Sequence, residues 1–415
     1  MHVDDHPALA GHPVYLDYNA TTPVDPRILQ VLQAALTTDF GNPSSAHSYA
    51  EGPRRLLAHA RAQVAALIGA APAQIVFTAS GSEADALAIR GAVLARASTV
   101  TGRPHVITQV TEHPAVLTAC QQLQRWHDVD VTYLPVDRFG RLDPADVQAA
   151  ITPNTVLVSV MHANNETGTL QPIADLARIT GPRGVLLHTD AAQSAGKVTI
   201  DVDQLGVDLL TAVGHKMYAP KGIAALYIRD GVTLEPLIGG GGQERGLRAG
   251  TENVAFAVAL GAAADLAAHA LAAGETSRLT KLRDQLHAEI TERLPHRIHL
   301  HGHPTQRLPN TLNIGIDHIS GRDLLEATPG VAASTGSACH AGHDQPSTGL
   351  VALGLTPDQA ASTLRLSIGR WTTPQQVIAA AQSLEVSLRS TEPLMEVSRV
   401  RRRPGHRPGQ RLGHE

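Results

Sequence analysis

The chain has 415 residues, with 34 Lys+Arg, 38 Asp+Glu and 2 Cys. A length near this predicts two or three domains and a sizeable core, and 43% hydrophobic with 17% charged residues excludes a disordered chain. Two distant cysteines, Cys120 and Cys339, exclude a disulfide framework and an all-cysteine zinc site, and a net charge of -4 gives no field that favours nucleic acid.

In chain order, the N-terminus carries Asp4, Asp5 and His6 and lacks an apolar export core, so a reducing, cytoplasmic setting is the expectation. Residues 54–68 place Leu57, Ala60, Val64, Leu67 and Ile68 on one helical face. Short β-branched or aliphatic runs predict buried strands at 74–78, 105–109, 130–134, 155–161, 184–188, 208–212 and 223–228. Helical patterns lie between several of them. Such alternation argues for a mostly parallel sheet covered on both faces.

Several of these strands end in residues that could carry chemistry. After 74–78 comes Ala79-Ser-Gly-Ser-Glu83, a small-residue turn into a helix over 82–97 for which Ser82 and Asp85 read as a capping pair. Free backbone N–H groups and the helix dipole there favour a phosphate, with Ser82 as a hydroxyl donor; an ordinary capped helix is the plainer alternative. After 105–109 stands His113, an imidazole able to stack on a flat ring or shuttle protons, or else a loop residue. Cys120 falls in the helical pattern 115–126 and reads as a small buried hydrophobe. After 155–161 comes His162-Ala-Asn-Asn-Glu-Thr-Gly168, whose amides could fix a cofactor oxygen and a substrate carboxylate, or simply form a polar turn. After 184–188, Asp190 could keep a pyridinium nitrogen protonated and Gln193 could donate to a phenolic oxygen; for Asp190 a helix N-cap is the alternative. Finally, 208–212 runs into Gly214-His-Lys216. Only four of the 34 basic residues are lysines: Lys197, Lys216, Lys221 and Lys281. A lysine at the end of a buried strand is costly unless paired or functional, and a desolvated amine can condense with pyridoxal phosphate.

Beyond the sheet, Gly239–Gly242 lack a following Gly-Lys-Ser/Thr and read as a flexible crossover near the site. The longest apolar stretch, 254–264, stops at Asp265, short of the roughly 20 residues a membrane span needs. A long helix over about 263–294 and strands at 297–300, 312–316, 331–334 and 363–368 predict a smaller α+β unit. His299, His301 and His303 alternate as on one face of a strand and read as surface histidines or a zinc site. From Ser398 onward, six arginines against one glutamate read as a solvated, disordered tail, or as an arm for an anionic partner without the aromatics that stack on bases.

Phosphate turn, stacking histidine, asparagine, aspartate and lysine thus occur in chain order at predicted strand ends. The sequence resembles the cysteine desulfurase and selenocysteine lyase family of fold-type I pyridoxal phosphate enzymes. The resemblance runs from Tyr15-Leu-Asp-Tyr-Asn-Ala-Thr-Thr-Pro23 to Arg365-Leu-Ser-Ile-Gly-Arg370. It is most specific at Gly41-Asn-Pro-Ser-Ser45, His162–Gly168, His188-Thr-Asp-Ala-Ala-Gln193, Gly214-His-Lys216, Arg248-Ala-Gly-Thr-Glu-Asn253 and Ser334-Thr-Gly-Ser-Ala-Cys339.

The resemblance implies a large domain with a mostly parallel seven-stranded sheet and a smaller α+β C-terminal domain. Residues 1–20 would pack with the small domain, 21–262 would bind the cofactor, 263–395 would carry the catalytic cysteine loop, and 396–415 would form the basic tail. Lys216 would hold pyridoxal phosphate covalently. Asp190 would pair with its pyridine nitrogen, Gln193 would bind its phenolic oxygen and His113 would stack on its ring. Gly81, Ser82 and His215 would bind the phosphate, and Thr251 would reach the phosphate of a neighbouring subunit, which implies a homodimer. Asn165 would also contact the cofactor, and with Arg365 would hold the carboxylate of L-cysteine or L-selenocysteine. Cys339 would accept the sulfur as a persulfide and pass it to an acceptor protein such as an Fe–S scaffold, with His340 and His343 as candidate helpers.

Three positions depart from the pattern. Val213 replaces a serine common in desulfurases and matches selenocysteine lyases, as does the run after Cys339. Ala86 replaces an asparagine, and Pro114 follows the stacking histidine where Asp or Lys is usual.

Overall fold

The computed structural model describes residues 6–335 and 346–401, with side chains to Ser390. The chain opens with β1 (Val14–Tyr15), α1 (Pro26–Thr37) and α2 (Glu51–Leu67). Then come β2 (Ile75–Thr78), α3 (Gly81–Ala86), a π-helical turn (Leu87–Gly91) and α4 (Ala92–Arg96). Strand–helix alternation continues through β3 (His105–Gln109), α5 (Pro114–Trp126), β4 (Asp130–Leu134), α6 (Pro144–Ala150), β5 (Thr155–Ser159), α7 (Ile173–Thr180), β6 (Leu186–Asp190), α8 (Val202–Leu205), β7 (Leu209–Val213) and β8 (Ala224–Ile228). The remainder is α9 (Val254–Ala272), α10 (Glu275–Arg293), β9 (Ile298–His301), β10 (Thr311–Ile316), α11 (Gly321–Glu326), β11 (Val331–Ala332), α12 (Thr348–Ala352), α13 (Pro357–Ala361), β12 (Thr363–Ser367) and α14 (Pro374–Arg401).

The large sheet has seven strands in the order β2-β8-β7-β6-β5-β3-β4. It is parallel except for β8, which runs antiparallel to both its neighbours. Six of these strands, β2, β3 and β5 to β8, are buried at every position, as a sheet covered on both faces requires. One core fills the face toward α2 and α9, and another the face toward α3, α4 and α5. A third core joins β10, β12, α10 and α14. Leu16 belongs to that third core, and β1 pairs in parallel with β11, so the chain start closes onto the C-terminal unit.

Several expected boundaries move for identifiable reasons. The single helix expected over 263–294 is two helices, α9 and α10. Gly274 breaks them apart by taking the left-handed conformation at φ +89°. Helix α9 continues past Asp265 to Ala272, so among the described residues one helix is long and apolar enough, by length and composition, to cross a membrane. Here it packs on α2, where a Cβ at Gly261 would sit 2.6 Å from Ala60 Cα. Ser82 and Asp85 do not cap the helix after β2. The cap is Ser80, whose Oγ accepts from Glu83 N–H, while the Glu83 carboxylate accepts from Ala79 N–H (2.9 Å). Helical backbone of α14 reaches Arg401, into the segment expected to be disordered; residues 402–415 lie outside the described residues. The histidine series does not stay on one strand. β9 ends at His301, and His303 Nδ1 caps a turn by accepting from Gln306 N–H (2.9 Å). Among the described residues no three His, Cys, Asp or Glu side chains are grouped to hold a metal ion.

Candidate active site

Parallel strands in one sheet send their C-terminal ends to one edge, the usual place for ligands in open α/β sheets. A cavity of about 310 Å³ opens there. Its walls include Gly81, Ser82, His113, Asn165, Asp190, Gln193, His215, Lys216 and Arg365, so nine of the sequence-selected residues meet in one place. Thr251 is exposed and is not among the cavity's lining residues in its own chain. Cys339, His340 and His343 lie outside the described residues.

Lys216 arrives on a tight turn after β7. A Cβ at Gly214 would lie 2.9 Å from the Ile223 carbonyl oxygen, so only glycine fits the bend. The Lys216 amine then donates to the carbonyls of Asn19 (2.5 Å) and Ala20 (2.7 Å), both from the segment after β1. His215 contacts Thr21 through Nδ1 (3.1 Å), and burial followed by the nearby lysines pushes it down to about 4, leaving the ring neutral.

Asp190 ends β6 and is buried, with Oδ1 accepting from Ala192 N–H (2.8 Å). Burial raises its pKa, opposed by the charges of His113 and Lys216. A cation placed beside it would restore the anionic form. His113 caps α5, its Nδ1 accepting from Ala115 N–H (3.2 Å). That bond leaves Nε2 as the protonated nitrogen of a neutral ring, and burial lowers the pKa further toward neutrality. It also accounts for Pro114: at the first helical position proline gives up only an N–H that has no partner inside the helix.

Arg365 reaches the cavity from β12. Its guanidinium donates to Asp17 (2.9 Å) and to the Asn165 carbonyl (3.3 Å), while its buried Nε has no hydrogen-bond partner. Burial raises the Asp17 pKa, against the pull of Arg365. Gln193 donates from Nε2 to the Asn19 carbonyl (3.0 Å). Cys120 is buried in α5, and burial pushes its thiol up to about 12, so it supplies no thiolate.

Sequence reasoning missed three contributors. Asn19 collects the Lys216 and Gln193 donors on its carbonyl, while its side chain bonds Thr311 (2.9 Å) and Asn310 (3.0 Å) from the C-terminal unit. Its signal was its place inside the Tyr15–Pro23 motif. Asp85 reads as a cap partner in the sequence, but its carboxyl is buried on the cavity wall 3.7 Å from His188 Nε2, with Oδ1 unpartnered by hydrogen bonds. Burial and the neighbouring Asp190 raise its pKa well above the carboxylate range. Asp17, the partner of Arg365, lies 348 residues away in sequence, beyond any local pattern.

Comparison with known proteins fits this geometry. The class-V aminotransferase family model matches residues 14–379. The chain belongs to the class-V aminotransferase family. It is 43% identical over 393 residues to a cysteine desulfurase, IscS, of Pectobacterium atrosepticum, covering 93% of this chain and 96% of that one. Similarity to a cysteine desulfurase of Trichormus azollae is also 43%, over 88% of this chain and 90% of the relative. Among solved structures it superposes on a NifS-like protein with a TM-score of 0.84 at 32% identity, covering 91% of this chain and all of that one. A structure titled SspA in complex with cysteine gives a TM-score of 0.75 at 37% identity, covering 86% and 99%.

Family members depend on pyridoxal phosphate, and the cavity fits that group. An amine, a buried carboxylate, a neutral imidazole and a helix start line one space, and the unpartnered Arg365 Nε offers a donor for a substrate carboxylate. At the helix start, a Cβ on Gly81 would lie 2.7 Å from Val213 Cγ2. The departure at Val213 therefore makes Gly81 a tight contact. A Gly81→Ala variant is expected to displace the helix start and weaken pyridoxal phosphate binding about tenfold. A Val213→Ala change in the same chain removes the clashing methyl and is expected to restore most of the affinity, as read by cofactor titration.

Proposed function

We propose that the chain is a pyridoxal phosphate-dependent cysteine desulfurase that converts L-cysteine to L-alanine and collects the sulfur on Cys339 as a persulfide. The observation that carries this reading is the meeting of Lys216, Asp190, His113 and Arg365 on one cavity. Bound there, pyridoxal phosphate supplies an aldehyde that condenses with amines and a ring that accepts electrons. Asp190 supplies the anion for the ring nitrogen, and Gln193 a donor for the phenolic oxygen. Gly81 and Ser82, at the N-terminal end of α3, and His215, from the turn after β7, would bind the phosphate. His113 would cover the ring, its neutral imidazole holding a proton on Nε2 while Nδ1 accepts from Ala115 N–H. The Lys216 amine would hold the cofactor and move protons at the substrate carbon. Arg365 and Asn165 orient the substrate carboxylate, for which the planar guanidinium suits a paired contact. The Cys339 thiolate would attack the substrate sulfur, forming an S–S bond as the C–S bond breaks; carbon keeps the bonding pair and is protonated to give alanine.

Two finer points belong to the same reading. A homodimer would let Thr251, exposed in its own chain, serve the neighbour's site; exposed Phe40 (70%) and Tyr49 (67%) support a covered surface. The persulfide would pass to an acceptor protein for Fe–S or thio-compound synthesis, in a compartment reducing enough to keep Cys339 a thiol. The testing assay is alanine formation from L-cysteine and from L-selenocysteine by the purified protein. Efficient turnover of cysteine is expected. Turnover confined to selenocysteine would make the protein a lyase, and no alanine from either would remove the reading.

A further inference from the structure

Lys197 is one of only four lysines, and it is buried to 6% exposure behind the cavity wall. Buried lysines are rare because desolvating an ammonium is costly unless it is paired, so this one calls for a reason. Its Nζ donates twice, and both acceptors belong to Gln193: the backbone carbonyl (2.9 Å) and the side-chain Oε1 (3.2 Å). The other half of the Gln193 amide, Nε2, donates to the Asn19 carbonyl, which also receives the Lys216 amine. Flipping the amide would set its NH₂ against the ammonium and its oxygen against a carbonyl, losing both bonds together. The ammonium therefore fixes which end of Gln193 is the donor on the cavity side.

The local fold is built to deliver this lysine. Gly196 precedes it at φ +73°, wedged where a Cβ would meet Met217 Sδ and Ala267 Cβ at 3.1 Å each. The resulting turn sends Lys197 back over Gln193, four residues earlier. Thr276 from α10 pins its backbone by donating to the Lys197 carbonyl (3.0 Å). Burial, then the charges of Lys216 and Arg365, lower its pKa to about 7, so the paired amide also helps to keep it protonated.

We propose that Lys197 is a positioning residue for the cofactor, holding the Gln193 amide so that its NH₂ serves the cofactor's phenolic oxygen. The proposal rests on the reading of Gln193 as a cofactor ligand.

The test follows the visible absorbance of the full-length holoenzyme against pH. A lost donor raises the pH midpoint at which the bound cofactor changes absorbance. Gln193→Ala is expected to raise it by about one unit, as for loss of one good hydrogen bond to a charged group. Lys197→Met is expected to raise it by a similar amount, and the Gln193→Ala/Lys197→Met double variant to match Gln193→Ala alone. Lys197→Gln keeps a donor of shorter reach; it is expected to recover part of the shift and carries the same test if the methionine variant does not fold. A normal midpoint in every Lys197 variant beside a shifted Gln193→Ala would overturn the proposal, as would additive shifts in the double variant. An unshifted Gln193→Ala would instead remove the cofactor role of Gln193.

Discussion

Replacing Lys216 by alanine is expected to abolish the visible band of the covalently held cofactor and to cut alanine production from cysteine by at least about a thousandfold. The size follows from the two tasks assigned to one amine. It anchors the cofactor and it moves protons at the substrate carbon, and no second lysine can replace it. Lys197 is turned away and spends its donors on Gln193, while Lys221 and Lys281 are exposed and do not line the cavity. A Lys281→Ala control should therefore retain both the band and the activity. Retention of the band in Lys216→Ala would place the anchor elsewhere and would undo the assignments of Asp190 and Gln193 built around it.

Cys339→Ala is expected to leave the visible band intact and to lower alanine formation at least about a hundredfold, because the sulfur then lacks its acceptor. Cys120→Ala serves as the contrast. That thiol is buried on α5 and pushed up to about 12, so its removal should change stability slightly and turnover not at all. Loss of the band in Cys339→Ala would point to a structural role for the segment. Equal losses in both cysteine variants would speak against a dedicated sulfur carrier.

Much of the large sheet was legible because strands buried on both faces need apolar side chains at every position. β8, for instance, reads directly as Ala-Ala-Leu-Tyr-Ile. The site residues were legible for a related reason: polar groups at the ends of such strands stand out against apolar runs. What escaped were features decided by contacts across the fold. Asp190 was expected just beyond its strand, but pairing with β7 carries β6 two residues further and buries the carboxylate within the sheet edge. The helix cap is Ser80, whose Oγ accepts from Glu83 N–H, while the Glu83 carboxylate accepts from Ala79 N–H and from Arg248. The break at Gly274 was hidden in an Ala- and Leu-rich stretch whose composition suits one helix. Asn19, Asp17 and Lys197 act through partners set by the meeting of the chain start, the β6 turn and β12, a geometry that no window of sequence displays.

The central claim is that carbon–sulfur cleavage at this cavity delivers sulfur to Cys339. Its most direct test is an acid-quenched single turnover of the holoenzyme with L-cysteine, measuring alanine by chromatography and sulfur on each cysteine by mass spectrometry. The account predicts one alanine for each persulfide on Cys339 and none on Cys120. Alanine formed with both cysteines unmodified and all sulfur released as free sulfide, or cysteine consumed without alanine, would contradict it.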